Sequence, residues 1–185
     1  MKTSTDPGPV IRRLARDLDV EGTLSDFPGL TREDLRRVLA QAAGPERELF
    51  ETAVLSVDGG ARGNPGPAGA GVVLQVGKKV VRLGEYLGET TNNVAEYKAL
   101  LLGLKAAADM GVRELEVRSD SELMVRQLNG QYKVRSLSLV DLYFSAIKQL
   151  SGFRKSVLTH IPREENKEAD RMANMAIDAK GPVSL

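Results

Sequence analysis

Four acids in this chain stand where regular structure should begin or end. Asp58 closes the strand-like run before Gly59-Gly60, Glu96 opens a long apolar segment, Asp120 follows Val117-Arg-Ser, and Asp170 ends Asn166-Lys-Glu-Ala-Asp. A set of carboxylate oxygens at element ends points to a hard divalent cation and to phosphate chemistry. The chain has no cysteine and a single histidine, His160, which argues against zinc and removes thiolate chemistry altogether.

Each acid also has a purely local explanation. Asp58 sits in the alternation Val54/Ser56/Asp58, opposite Ala53/Leu55/Val57, but an Asp before two glycines also starts turns. Glu96 is expected in the first turn of a helix, where the macrodipole favours an acid. Asp120 fits a helix N-cap, and Asp170 fits a first-turn acid, although its spacing to Ala173 and Ile177 sets it near an apolar stripe. The cluster Thr90-Thr91-Asn92-Asn93 ahead of Glu96 holds more short hydrogen-bonding side chains than one cap requires.

The elements that must position these residues follow from periodicity. Strands are expected at 52–58, 71–76, 79–87, 114–119 and 153–161, with Gly77 at a hairpin. Helices are expected at 94–110, 121–128, 137–150 and 167–179, the first apolar on nearly every side and therefore buried against the sheet. Strands alternating with helices after an initial meander make an α/β fold: a mixed five-stranded sheet with helices on both faces, over residues 51–181.

Residues 1–50 form a separate small helical module in this reading. Ile11, Leu14 and Leu18 share helical spacing, as do Leu35, Val38, Leu39 and Ala42; Thr31 and Asp34 make a capping-box variant and Gly44-Pro45 is a stop. The module carries 8 Lys/Arg against 9 Asp/Glu, and the rest of the chain 18 against 16. Neither is a basic arm that grips nucleic acid by counterion release alone, though Arg32, Arg36 and Arg37 could form a local basic face. Composition is that of an ordinary soluble protein, 42% apolar and 28% charged. With no signal-peptide pattern and no run of membrane length, a cytoplasmic location and no membrane partner are expected.

The acidic segments taken together resemble type 1 ribonuclease H across roughly Ala53 to Lys180. Asp58-Gly-Gly-Ala-Arg-Gly-Asn-Pro-Gly-Pro-Ala-Gly69, Thr90-Thr-Asn-Asn-Val-Ala-Glu-Tyr97, Ser119-Asp-Ser121 and Asn166-Lys-Glu-Ala-Asp170 are similar to the four motifs of that family, in order. The resemblance implies the ribonuclease H-like fold and endonucleolytic hydrolysis of the RNA strand of RNA–DNA hybrids, leaving 5′-phosphate and 3′-hydroxyl ends. It also implies two Mg²⁺ or Mn²⁺ ions held by Asp58, Glu96, Asp120 and Asp170. Asn64, Asn93 and Asn166 would meet the RNA near its 2′-hydroxyls, Thr91 and Asn92 the DNA phosphates, and Gly59, Gly60 and Gly63 the minor groove. Double-stranded RNA is a second candidate partner.

Two features depart from the family pattern. His160 stands at the distance of the family's loop histidine but lacks its glycines, so it could instead end a strand, leaving Arg163 as rival for the auxiliary role in catalysis. A tryptophan-bearing basic protrusion is replaced by Asn129-Gly-Gln-Tyr-Lys-Val-Arg135, leaving Lys133, Arg135 or the N-terminal module to add grip. Residues 26–39 faintly resemble DUF433-type domains; nucleic-acid binding and self-association are both open for that module. The alternative to an enzyme is a non-catalytic RNA- or hybrid-binding module on the same fold, against which the intact acid set speaks, because a binder gains nothing from negative charge where a phosphate must approach.

Overall fold

In the computed structural model of the chain, which describes residues 10–14, 18–43 and 50–185, the first strand of the larger unit runs on through the glycines that end its motif. β1 spans Phe50–Ala61, longer than expected, so Asp58 lies within a strand and does not begin a turn. Its partner β2 (Gly66–Val76) runs antiparallel with Asp58 opposite Gly71, and β3 (Lys79–Thr90) continues the meander from a turn at Gly77, where φ is +58°.

The chain then crosses over through α3 (Asn92–Asp109) to β4 (Val112–Ser119), which lies parallel to β1 on its other side. After two further helices, α4 (Glu122–Leu128) and α5 (Leu137–Leu150), β5 (Lys155–His160) adds parallel to β4. α6 (Lys167–Ala179) follows a short 3₁₀ turn at Arg163–Glu165. The sheet order is β5-β4-β1-β2-β3-β6, one strand more than expected. β6 is only Val183–Ser184, paired with Gly84 and Leu83, and two residues are too few to show a period.

Alternation along β1 sorts its side chains between two helices. Leu55 and Val57 are fully buried, and Leu55 lies against Gly103 of α3, within a core that includes Val72, Leu74, Leu100, Leu104 and Val117. Asp58 points to the other face, covered by α6, and Gly71 beside it lets that helix close in: a Cβ there would sit 2.0 Å from the Ala169 carbonyl oxygen. One acid on β1 is thereby held within reach of the first turn of α6.

The chain divides into two compact units, residues 1–47 and 48–185. In the smaller one, residues 10–14 are helical, and α1 (Val20–Asp26) and α2 (Arg32–Ala43) follow. Leu18 does not extend the stripe of Ile11 and Leu14: its φ is +55° and it is 80% exposed. Thr31 and Asp34 do form the reciprocal box, each backbone N–H donating to the other's side chain at 3.1 Å. The local basic face of Arg32, Arg36 and Arg37 is largely spent within the unit, since Arg32 pairs with Glu21 and Arg37 with Asp34 at 3.5 Å. The Gly44-Pro45 stop lies outside the described residues.

Candidate active site

Asp58 reaches the site because β1 carries it there, and Glu96 because β1 and α3 touch backbone to backbone. A Cβ on Gly59 would stand 2.1 Å from both the Ala95 carbonyl carbon and the Glu96 nitrogen, so only glycine permits this approach. Gly59 therefore serves packing between strand and helix. α3 starts at Asn92, capped by Thr91, whose Oγ1 accepts from Val94 N–H at 3.4 Å. Glu96 consequently lies in the second turn, not the first, and the macrodipole does not account for it.

Asp120 follows the last residue of β4, on the strand parallel to β1. It is not the cap of α4: that role belongs to Ser121, whose hydroxyl accepts from Met124 N–H at 3.5 Å. Asn166, 2% exposed, donates its amide to the Val57 carbonyl at 2.9 Å and to Asp120 Oδ1 at 2.6 Å. Its amide ties β1, β4 and the start of α6 together, while its buried Oδ1 has no hydrogen-bond partner. Asp170 stands in the first turn of α6, where Arg163 donates to its Oδ1 at 3.2 Å and Asn174 to its Oδ2 at 3.2 Å.

Electrostatics show that these acids feel one another. Burial first, then the charges of Asp120 and Asp170, push Asp58 up to about 7, against the opposing pull of Arg163. A side-chain hydrogen bond to Asp120 adds to the rise, since it requires one of the two carboxyls to hold a proton. Glu96 is raised to about 8, again by burial and then by Asp58, with a Ser121 hydrogen bond and Arg163 working the other way. Asp58 and Glu96 are each 8% exposed, and Glu96 Oε2 has no hydrogen-bond partner.

Among the described residues no three acid or imidazole groups are drawn closely enough to enclose a metal as they stand. The donor set nonetheless fits a hard cation in chemistry: every atom is a carboxylate oxygen, the buried Glu96 Oε2 is unpartnered, and two carboxyls are shifted upward by burial and by repulsion that a cation would relieve.

Around the acids lies a polar rim. Asn92 Oδ1 accepts from Ala61 N–H at 3.2 Å, its amide donates to Glu96 Oε1 at 3.4 Å, and its own N–H donates to Asn64 Oδ1 at 3.1 Å. Asn93 is exposed, and no Cβ clash bars substitution at Gly60, which faces open space. His160 is the last residue of β5, exposed and in register with Ser119, so it ends a strand as its glycine-poor context suggested. Among the described residues Arg163, from the 3₁₀ turn, is the cation that meets an acid of the cluster, Asp170, at 3.2 Å. Sequence reasoning overlooked Ser121 as a partner of Glu96; its only signal was its place in the Ser-Asp-Ser segment.

The family profile described as Reverse transcriptase-like matches residues 56–176, a span that takes in all four acids. The chain belongs to the type 1 ribonuclease H family. It is 44% identical over 123 residues to the Ribonuclease HI of Halobacterium salinarum, covering 65% of this chain and 62% of that one. It is likewise 44% identical over 129 residues to the Bifunctional protein Rv2228c of Mycobacterium tuberculosis, covering 68% of this chain but only 35% of that protein. The chain thus spans less than two thirds of the length of these curated relatives. Among solved structures, LC11-RNase H1 in complex with an RNA/DNA hybrid is similar with a TM-score of 0.65 and 43% identity, covering 69% of this chain and 98% of that one.

Proposed function

We propose that residues 48–185 form an endonuclease that hydrolyses the RNA strand of RNA–DNA hybrids with two Mg²⁺ or Mn²⁺ ions, leaving 5′-phosphate and 3′-hydroxyl ends. The observation that carries this reading is the electrostatic coupling of acids brought from two strands and two helices: burial, then the charges of Asp120 and Asp170, raises Asp58 to about 7, and burial, then the charge of Asp58, raises Glu96 to about 8. A hybrid-bound relative at 43% identity supports the choice of substrate.

Divalent cations held by these four carboxylates would supply a more acidic bound water and neutralise charge on the phosphate and the leaving oxygen. The chain's own residues do the rest. Asp58 and Glu96 give up their protons when the site is loaded, Asn166 holds Asp120 in place, and Arg163 offsets negative charge beside Asp170 on the solvent side. Asn64, Thr91, Asn92 and Asn93 form the rim that a nucleic-acid backbone would meet, with Asn64 and Asn93 exposed and Thr91 and Asn92 half-buried. Arg163 takes the auxiliary role ahead of His160, because it is already hydrogen-bonded within the cluster. A cytoplasmic location belongs to the same reading; among the described residues no helix is long and apolar enough to cross a membrane.

The test is to incubate the purified chain with end-labelled RNA–DNA, RNA–RNA and single-stranded RNA in Mg²⁺, Mn²⁺ or EDTA, beside Asp58→Asn. The expected result is cleavage of the RNA in hybrid alone, lost in EDTA and in the variant. Cleavage in EDTA, or full activity of the variant, overturns the mechanism.

A further inference from the structure

α5 carries more apolar surface than its packing uses. Leu139, Ala146 and Leu150 are buried in the core, whereas Leu137 is 90% exposed, Phe144 64% and Ile147 36%. With half-buried Val140 these outward residues fall at 137, 140, 144 and 147, alternating steps of three and four that draw one line along a helix. A line of this kind is the seam by which one helix packs on another, and here no element of the larger unit lies on it.

The flank of the seam says which partner fits. Asp141, Ser145 and Lys148 follow one another along one side, all exposed. Asp141 and Lys148 are seven residues apart, about 10 Å along the axis, too far to pair with each other. Among the described residues neither joins an ion pair.

We propose that this face of α5 is the contact by which two copies of the chain associate, antiparallel about a two-fold axis. An acid and a base on the same flank are self-complementary only in that orientation, since an antiparallel two-fold sets this flank against itself in reversed order, whereas in a parallel pair it would face the other flank of the partner helix. Antiparallel pairing seats Phe144 of each copy against Ile147 of the other and brings Asp141 of each to Lys148 of the other. Tyr143 braces the Phe144 ring edge-on, with ring centroids 5.4 Å apart, so the anchor is partly ordered before association. A polyanion gains little here, because the flank's two charges cancel. One helix face is small for an interface, so the dimer is weak and reversible.

The experiment is sedimentation velocity on the full chain over a concentration series reaching the high-micromolar range, for wild type, Phe144→Glu, Asp141→Lys, Lys148→Asp and the double swap D141K/K148D. The expected result is a concentration-dependent monomer–dimer equilibrium, weakened on the order of tenfold or more by Phe144→Glu. Each single swap weakens it about a few-fold and the double swap restores it. All these positions are exposed, so circular dichroism should report an unchanged fold. A monomer at every concentration overturns the proposal, as does a dimer indifferent to Phe144→Glu, or single swaps that the double swap does not rescue.

Discussion

Replacing Asp58 by asparagine is expected to stabilise the metal-free protein at pH 8 while abolishing cleavage. The carboxyl ordinarily titrates at 3.8 and here is held up to about 7, so ionising it in the folded state at pH 8 costs roughly 4 kcal/mol relative to the unfolded chain. The asparagine side chain keeps the shape and removes the charge but remains a buried polar group, leaving a net gain of roughly 2–4 kcal/mol. For a unit of this size that is a rise in Tm of roughly 6–12 °C. The pH dependence follows from the same shifts. Between about pH 4 and 7 the folded state holds a proton on Asp58 that the unfolded state has lost, so metal-free stability falls as pH rises. Glu96, raised from 4.5 to about 8, extends the fall to about pH 8. Below pH 4 neither contributes a slope.

The assay is thermal unfolding in EDTA across pH 4 to 8.5, repeated with Mg²⁺. Wild type should lose stability toward alkaline pH and regain it with the cation; the variant should show a shallower loss and a smaller gain. A wild-type Tm that is flat or rising over that range, or an Asp58→Asn protein no more stable at pH 8, would refute the claim that burial and mutual repulsion penalise the charged acids of this site.

Gly59→Ala drives a methyl into the Ala95–Glu96 peptide and forces β1 and α3 apart; unfolding in urea should show a loss of about 1–3 kcal/mol, with activity falling further because Glu96 moves with the helix. Asn166→Ala removes both donors from the Val57 carbonyl and Asp120, and should cost about 1–3 kcal/mol of stability and lower kcat with little change in KM, an outcome a direct RNA contact would reverse. Removing residues 1–47 should leave the thermal transition and circular dichroism of the larger unit intact; loss of cooperative unfolding would show that the two units are not independent.

Motif spacing and apolar period carried much of the site and fold. The four acids, the all-oxygen donor set and the order of strands and helices were legible because each depends on local pattern: alternation in β1, helical spacing in α6, a polar cluster before α3. Glu96 was misread as a first-turn acid because the helix begins two residues earlier than its apolar run suggests. The packing of Gly59 and Asn166 left no sign in the sequence, since their surroundings come from residues distant in the chain: Gly59 meets Ala95, and Asn166 meets Val57 and Asp120. The two-residue β6 and the lone turn of Leu18 left no periodic trace at all.

By itself the amino-acid order determined which chemistry was available: hard oxygen ligands, no thiol, one imidazole, and amphipathic or buried segments of the right lengths to make a mixed sheet. Only the tertiary structure decided which local explanations failed. Strand pairing set Asp58 opposite Gly71, glycine-thin contacts drew α3 and α6 onto the sheet, and the capping of α4 by Ser121 released Asp120 for the cluster. The physical reason is range: capping, turn and period are settled within a few residues, whereas burial and charge repulsion act between groups that share space without sharing sequence.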